Sequence, residues 1–223
     1  MNEDFSSSVY SKNIIEFLTV ASEYCGFLEK SEKFSKREFL EKSQKILALL
    51  YLKSSLIDKI EIIEDGDIER FVTESDYLFI QESLSAKFGT LEQFIDVWEP
   101  RASEKSEVVQ VSLSECFADI YQDLKDFALN YQIGNEQIMI EIISQSKLNF
   151  EVFWGPRILA LLNTIHNIIY SDENLEDENE ENNHKHKKKN SKTKNGLLNN
   201  KFESYQDDLD NDAFDDIFGN DVE

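Results

Sequence analysis

Residues 113–133 read LSECFADIYQDLKDFALNYQI, the clearest helical pattern in the chain. Its apolar side chains recur every three or four positions, which is the spacing of one face of an α-helix. Gly134 follows directly, and glycine suits the left-handed backbone conformation that ends many helices. The stretch therefore predicts a long amphipathic helix that lies against a hydrophobic core. The apolar seam consists of Phe117, Ile120, Leu124, Phe127 and Tyr131.

The same apolar spacing occurs on both sides of this helix. Two pairs, Ser35 with Glu38 and Thr73 with Asp76, have the spacing of a capping box, in which each side chain satisfies a free backbone donor of the other residue. Gly89 is placed to end the helix that Thr73 begins. The predicted helices cover residues 9–33, 35–60, 73–88, 113–133, 136–153 and 157–170.

Two regions are harder to assign. Thr90 with Gln93 repeats the capping pattern and predicts a short helix, which Pro100 stops because a residue before proline avoids the helical conformation. Residues 99–111 are polar and predict a loop, within which residues 107–112 are compatible with an extended strand. Gly155-Pro156 predicts a break or a kink between the last two helices.

The composition supports long helices in one domain. Among 223 residues there are only 7 glycines and 2 prolines, and a sheet protein of this size would need more of both for its turns. Apolar residues make up 40% of the chain, which is enough for a core without metals or disulfides. We predict an all-α fold, a single multi-helix bundle over residues 9–170, after a flexible N-terminus at residues 1–8.

The last part of the chain has a different composition. From residue 171 an acidic run is followed by a basic run, His184 to Lys194, and then by a second acidic stretch to Glu223. Dense charge with few apolar residues cannot offset the entropy of ordering a chain. Residues 171–223 are therefore predicted to be a disordered charged tail.

Three stretches resemble a known family: VYSKNIIEFLTVASEYCGFLEK near the start, LSECFADIYQDLKDFALNY in the middle and FWGPRILALLNTIH near the end. They are similar to the bacterial family of domains of unknown function numbered 5063, over roughly residues 9–170. The resemblance implies an all-helical domain typical of Bacteroidota. It implies no activity, cofactor or site residue at any position of this chain.

Charge limits the classes of partner. The net charge of -22 repels nucleic-acid phosphates and anionic lipids, so direct nucleic-acid binding is expected only through the basic tract His184 to Lys194. Residues 1–9 lack the pattern of a signal peptide, and no apolar stretch is long enough to span a bilayer. Cys25 and Cys116 lie inside apolar helical patterns, as free buried thiols do. We expect a cytoplasmic protein without membrane contact.

Three aspartates of the central helix share one face because they stand at positions i, i+4 and i+7: Asp119, Asp123 and Asp126. Helical di-metal sites pair such carboxylates with Glu-x-x-His motifs, and the sequence has none. The favoured interpretation is a solvated face. A structural alternative is that Arg157 or Lys125 pairs with one of these aspartates across the bundle and fixes the register of the helices.

No motif for catalysis or for a cofactor stands out, and we expect no bound cofactor. His166, the only histidine in residues 9–170, is predicted to be half-buried and hydrogen-bonded to a neighbour. The cluster Phe150, Phe153 and Trp154 is predicted to be core packing at the kink. A small helical enzyme with its site near Gly155-Pro156, using His166 with Cys25 or Cys116, remains an alternative.

A short part of the tail has the pattern of a partner-binding segment. In an acidic background, its apolar residues would share one face if the segment became helical on a partner. The leading hypothesis is a non-catalytic protein that binds another protein, with the tail as a second contact. A regulator of a nucleic-acid-processing enzyme is a further alternative, and the sequence does not indicate the oligomeric state. The predicted partner-binding residues are Leu209, Phe214, Ile217 and Phe218.

Overall fold

The computed structural model describes residues 9–60, 68–98 and 107–171. The predicted flexible start and nearly all of the predicted disordered tail lie outside these residues. The elements follow the chain as α1 (Lys12–Glu29), α2 (Lys36–Ser55), α3 (Glu74–Phe88), β1 (Gln93–Trp98), β2 (Glu107–Ser112), α4 (Leu113–Gln132), α5 (Glu136–Asn149) and α6 (Gly155–Tyr170). Shorter turns are 3₁₀ at Ser31–Lys33 and Gly89–Leu91, and π-helical at Phe150–Trp154.

Helix α4 is the centre of the bundle because its predicted apolar seam is buried along its whole length, with no member more than 6% exposed. Helices α1, α3, α5 and α6 all pack against it, and α2 packs on α1 and α6. The ring centroids of Phe17 and Phe127 are 4.7 Å apart, and those of Phe39 and Phe117 are 5.6 Å apart. The predicted all-α bundle is confirmed.

The predicted helix starts are confirmed where local sequence signals define them. Ser35 with Glu38 and Thr73 with Asp76 both form complete capping boxes, in which side chains and backbone donors are bonded reciprocally. Gly89 has a φ of 57°, in the left-handed region that glycine enters without a steric penalty. These signals require only neighbouring residues, so they are visible without the tertiary structure.

Helix α2 is shorter than predicted, because it ends at Ser55 rather than near Ile60. The hydroxyl of Ser54 donates to the carbonyl oxygen of Leu50, and that of Ser55 donates to the carbonyl oxygen of Leu52, both at 2.7 Å. Serine hydroxyls that bond to the preceding turn compete with the backbone and weaken helix propagation.

The helix predicted from Thr90 to Pro100 is wrong, since residues 93–98 form strand β1. This strand pairs antiparallel with β2, in a register that runs from Gln93↔Ser112 to Trp98↔Glu107. Residues 107–112 form strand β2, so the predicted loop is wrong over residues 107–111, and the extended alternative that the sequence allowed there is the one observed. Pairing with a second strand therefore overrides the local capping pattern at Thr90.

The predicted kink between the last helices is a π-helical turn and not a break. The backbone N–H of Gly155 donates to the carbonyl oxygen of Phe150, five residues earlier. Pro156 has no backbone N–H, so the normal hydrogen-bond ladder cannot pass through this position. This π-helical turn is wider than an α-helical turn, and α5 continues through it into α6.

Candidate functional site

Two regions carry polar groups that could serve a function: the aspartate face of α4 and the β-hairpin of β1 and β2. On the aspartate face, Asp119 accepts from the Arg157 Nε at 2.8 Å with one oxygen. Its other oxygen accepts from the Tyr77 hydroxyl at 3.0 Å. Asp119 therefore joins α4 to both α3 and α6.

Asp126 holds the segment that leads into α3. Its Oδ1 accepts from the backbone N–H groups of Phe71 and Val72 at 2.8 and 2.9 Å. One turn later, Asn130 donates to the carbonyl oxygen of Glu69 at 2.8 Å. Asp126 is only 9% exposed, and desolvation raises the pKa of its carboxyl although the two backbone donors oppose this shift. The residue is a buried backbone anchor.

Asp123 lies between the other two aspartates and accepts from the Asn149 Nδ2 at 3.3 Å. Desolvation raises the pKa of Asp123 to about 6, and the charges of Asp126 and Asp119 contribute in the same direction. The hydrogen bond from Asn149 and the charge of Arg70 act against the shift. Asp123 is thus the carboxyl of this face whose charge state changes just below neutral pH.

The interpretation of the aspartates as a solvated face is wrong, because each one contacts the protein and Asp126 is buried. The structural alternative is confirmed for Arg157, which pairs with Asp119. Lys125 instead pairs with Glu29 of α1, at 2.8 Å. Across the described ranges of the chain, no group of three or more His, Cys, Asp or Glu side chains is arranged to hold a metal ion.

The cysteines and His166, which the sequence left open as a nucleophile and its base, lie in different environments. Cys25 and Cys116 are both buried. Desolvation raises the pKa of the Cys25 thiol well above its ordinary value, which opposes formation of a nucleophilic thiolate. His166 is exposed on α6 and contacts the ring of Tyr170, with 4.7 Å between centroids, so its predicted half-burial is wrong.

The aromatic cluster at the π-helical turn divides into core and surface. Phe150 and Trp154 are buried, which confirms core packing for these two residues. Phe153 is 36% exposed and lies under the Arg157 guanidinium, 3.9 Å from its ring centroid. A Cβ atom on Gly155 would clash with the Phe150 carbonyl oxygen, so the turn requires glycine at this position.

The root of the β-hairpin is fixed to the start of α4. The Glu92 carboxylate accepts from the hydroxyls of Ser112 and Ser114, and the Leu113 N–H donates to the Glu92 carbonyl oxygen at 2.9 Å. Ser112 also caps α4 by accepting from the Glu115 N–H. Strand β2 continues directly into α4, so the orientation of the hairpin at its root is set by the central helix of the core.

Beyond its root, the hairpin exposes a side chain on each strand. Its strands form a two-stranded sheet, and β2 leads directly into α4. Ile95 of β1 is 70% exposed, and Gln110 opposite it on β2 is also exposed. The apolar strand residues are Phe94, Ile95, Val97, Trp98, Val108, Val109 and Val111.

Sequence reasoning missed β1 as an element, although a signal was present. QFIDVW is rich in aromatic and β-branched residues and stands near EVVQVS, which was recognised as compatible with a strand. The capping pattern at Thr90 concealed this pairing. The predicted partner-binding residues Leu209, Phe214, Ile217 and Phe218, and the basic tract from His184 to Lys194, lie outside the described residues.

The fold defines the class of protein as an all-helical bundle with one β-hairpin inserted before its central helix. The model of the family described as a domain of unknown function, DUF5063, matches residues 8–171. The chain belongs to this family, which confirms the resemblance.

A solved structure supports the same assignment. The crystal structure of protein BF1032 from Bacteroides fragilis is similar with a TM-score of 0.67 and 33% sequence identity, over 74% of this chain and 98% of that chain. No curated protein matches the sequence. Among the helices of the described ranges, none has the length and apolar character needed to cross a bilayer.

Proposed function

We propose that this protein is a non-catalytic interaction module that binds another protein through its β-hairpin. The observation that carries the proposal is the exposure of Ile95 on β1, since 70% of this large apolar residue is accessible. A two-stranded hairpin is only marginally stable alone in water, and a third strand or a covering element stabilises it. A partner would supply this missing element.

The geometry of the hairpin root supports binding with a small ordering cost. Glu92, Ser112 and Ser114 are bonded to one another at the start of α4. Because α4 is the buried centre of the bundle, the base of the hairpin has a defined direction before any partner arrives. Pre-organised surfaces bind with less loss of conformational entropy.

The polar residues of the aspartate face support a structural role in place of catalysis. Asp119 pairs with Arg157, and Asp126 accepts from two backbone N–H groups. These contacts join separate segments of the bundle. Catalytic carboxylates need access to a substrate, which a buried anchor such as Asp126 lacks. The proposal therefore assigns the aspartate face to stability and the hairpin to binding.

The tail is proposed as a second contact. Phe214, Ile217 and Phe218 would share one face of a helix formed on the partner, and the surrounding aspartates would favour a groove with a basic rim. The pattern of the tail sequence is the only support for this part of the proposal. Its binding contribution is expected to be separable from that of the hairpin.

The test is affinity capture from a lysate of the native host with the full chain and with Ile95→Lys as bait. The expected result is a specific protein that the full chain captures and the variant loses. Leu159→Lys is the matched control, since Leu159 is also an exposed apolar residue, 49% accessible, but lies on α6. Equal capture by all three baits would contradict binding through the hairpin.

Two further baits test the tail: a chain truncated after Tyr170, and a double variant with Phe214→Ala and Phe218→Ala. Both are expected to capture less of the same protein than the full chain does. Undiminished capture by both would reject the tail as a contact.

A further inference from the structure

We infer that the outer edge of β1 accepts an extended segment of the partner as a third strand, and that this segment carries lysine or arginine. The inference rests on the proposed function and specifies which edge binds and what chemistry the edge selects. It follows from the hydrogen-bond register of the hairpin, the composition of its strands and the charge of the chain.

The register identifies the free backbone groups. In an antiparallel pair, residues alternate between those that bond across the ladder and those whose N–H and C=O groups point outward. The Leu113 N–H bonds to the Glu92 carbonyl oxygen, one step beyond the pair Gln93↔Ser112, so Gln93 and Ser112 belong to the outward-pointing set. Alternation then places these residues on the outer edge of β1: Gln93, Ile95 and Val97.

Within residues 9–60, 68–98 and 107–171, the edge of β1 lacks the features by which proteins usually prevent strand addition. Such features are lysine or proline within the strand, a β-bulge, or a covering element. The sequences QFIDVW and EVVQVS contain no lysine, arginine or proline, and their register has no bulge. Ile95, in the middle of the edge, is exposed. An edge in which three residues direct their backbone N–H and C=O groups outward is suited to strand addition.

The outer edge of β2 is a poorer acceptor. Ser112 is at once the last residue of β2 and the N-cap of α4, and its hydroxyl is bonded within the root. Strand β2 also runs directly into α4, which begins at Leu113. On this side a third strand has free backbone groups only as far as Ser112, where the helix begins.

Charge selects the partner segment. The only charged residues of the two strands are Asp96 and Glu107, both acidic, and the whole chain has a net charge of -22. Two copies of this chain therefore repel each other, and a strand with basic residues is attracted. Apolar β-branched residues in the same strand would contact Ile95 and fit the pleat of the edge.

The probe is a library of random peptides displayed on phage and selected on the full chain. We expect enriched peptides that alternate β-branched with other residues and that contain lysine or arginine. One enriched peptide is then synthesised, and its affinity is measured for the full chain and for two variants, Ile95→Pro and Gln110→Pro. These residues stand opposite each other, and both belong to the outward-pointing set.

Each proline removes one outward N–H while it leaves the ladder between β1 and β2 intact. Ile95→Pro is expected to weaken peptide binding about tenfold or more, and Gln110→Pro by less than about twofold. Equal loss in both variants, or loss in Gln110→Pro alone, would overturn the assignment to the edge of β1.

Amide hydrogen exchange on the unmodified full chain gives a second measurement that does not depend on how the variants fold. On addition of the synthetic peptide, the amides of Ile95 and Val97 should be protected, and the amide of Gln110 should not. Protection of Gln110 alone would reject the edge of β1. If the chain dimerises as its concentration rises and the same amides become protected, the occupant of the edge is a second copy of this chain. That result would reject the basic segment.

Failure of this inference is distinguishable from failure of the proposed function. If selected peptides are helical in pattern and bind unchanged to Ile95→Pro, strand addition is wrong. The proposed function still stands if Ile95→Lys loses the protein captured from the host. If neither library nor lysate yields a ligand that depends on the hairpin, both are wrong.

Discussion

The aspartate face of α4 and the outer edge of β1 are both polar surfaces beside apolar side chains, yet their polar groups are used differently. Asp126 has its carboxylate bonded to two backbone donors of a neighbouring segment. The register leaves outward backbone groups at Ile95 without a strand beside them in the described chain. The Asp126 carboxylate joins two segments of the same protein, whereas the outward groups at Ile95 suit the addition of a strand from another protein.

The conspicuous cluster of charge on α4 is therefore not the best candidate for a binding site in this protein. Three aspartates on one helical face attract attention in the sequence, but their partners are other parts of the bundle. The hairpin carries little charge. Its capacity to bind comes from outward-pointing backbone N–H and C=O groups, which the identities of the side chains do not reveal. Substitutions should therefore cost stability on the aspartate face and binding on the hairpin.

The largest effect is expected at the π-helical turn, which lies between Asn149 and Arg157, the residues that bond to Asp123 and Asp119. Gly155→Ala places a Cβ atom against the Phe150 carbonyl oxygen and should lower the free energy of unfolding by about 3 kcal/mol. Chemical denaturation measures the change. Gly26→Ala is the matched control: a Cβ there meets nothing within 4 Å, so it should be neutral or stabilise by up to about 1 kcal/mol. Equal stability of both variants would contradict the role of the turn.

The next effect tests Asp126 as a backbone anchor. Asp126→Ala leaves the N–H groups of Phe71 and Val72 without their acceptor and should destabilise the protein by about 2 kcal/mol in denaturation experiments. Asp119→Ala, which removes a partly exposed ion pair with Arg157, should cost less, about 1 kcal/mol or below. The reverse order would show that the ion pair, and not the buried anchor, joins these segments.

A smaller effect depends on pH and comes from Asp123. The pKa of Asp123 is raised to about 6. The stability that its neutral form contributes is therefore fully present at pH values below the ordinary pKa of aspartate, and it is lost as the pH rises through 6. Asp123→Asn keeps the side chain neutral and should stabilise the protein by about 1 kcal/mol at pH 7.5, after allowance for solvent screening. The gain should disappear near pH 4. Denaturation curves across this range measure it, and a gain independent of pH would reject the explanation.

The smallest effect on stability is expected on the hairpin. Ile95→Lys replaces an exposed side chain and should change the free energy of unfolding by less than about 0.5 kcal/mol. The same variant should lose the captured partner, since lysine on a strand edge opposes strand addition. A large loss of stability would mean that the bundle depends on Ile95, and the division between the two regions would not hold.

Much of the fold could be predicted because its signals are local. The seam of α4, the capping boxes at Ser35 and Thr73, and the glycine at position 89 each involve residues within a few positions of one another. Burial then follows, because an amphipathic helix must cover its apolar face. The pairing of Arg157 with Asp119 was also among the alternatives that the sequence allowed.

The roles of the candidate sites could be predicted less well. The capping pattern at Thr90 is a valid local signal, but pairing of β1 with β2 and the bonds of Glu92 outweigh it. Asp123 and Asp126 have the sequence pattern of an exposed face, and only the approach of residues 68–72 and Asn149 buries them. His166 follows a helical pattern that does not reveal which side of α6 packs on its neighbours.

The amino-acid pattern alone is enough to assign the helical class, the central helix, most helix starts and the family, because backbone periodicity and capping depend on residues close in the chain. The folded structure was needed to show that Glu92 anchors a hairpin to α4, that Asp126 is an internal anchor, and that Gly155 permits a π-helical turn. The first two depend on contacts between residues at least 20 positions apart in the chain, and the third depends on a backbone bond to Phe150 that the Gly-Pro pattern does not specify. Such contacts change the balance between burial and hydrogen bonding, which local propensity cannot express.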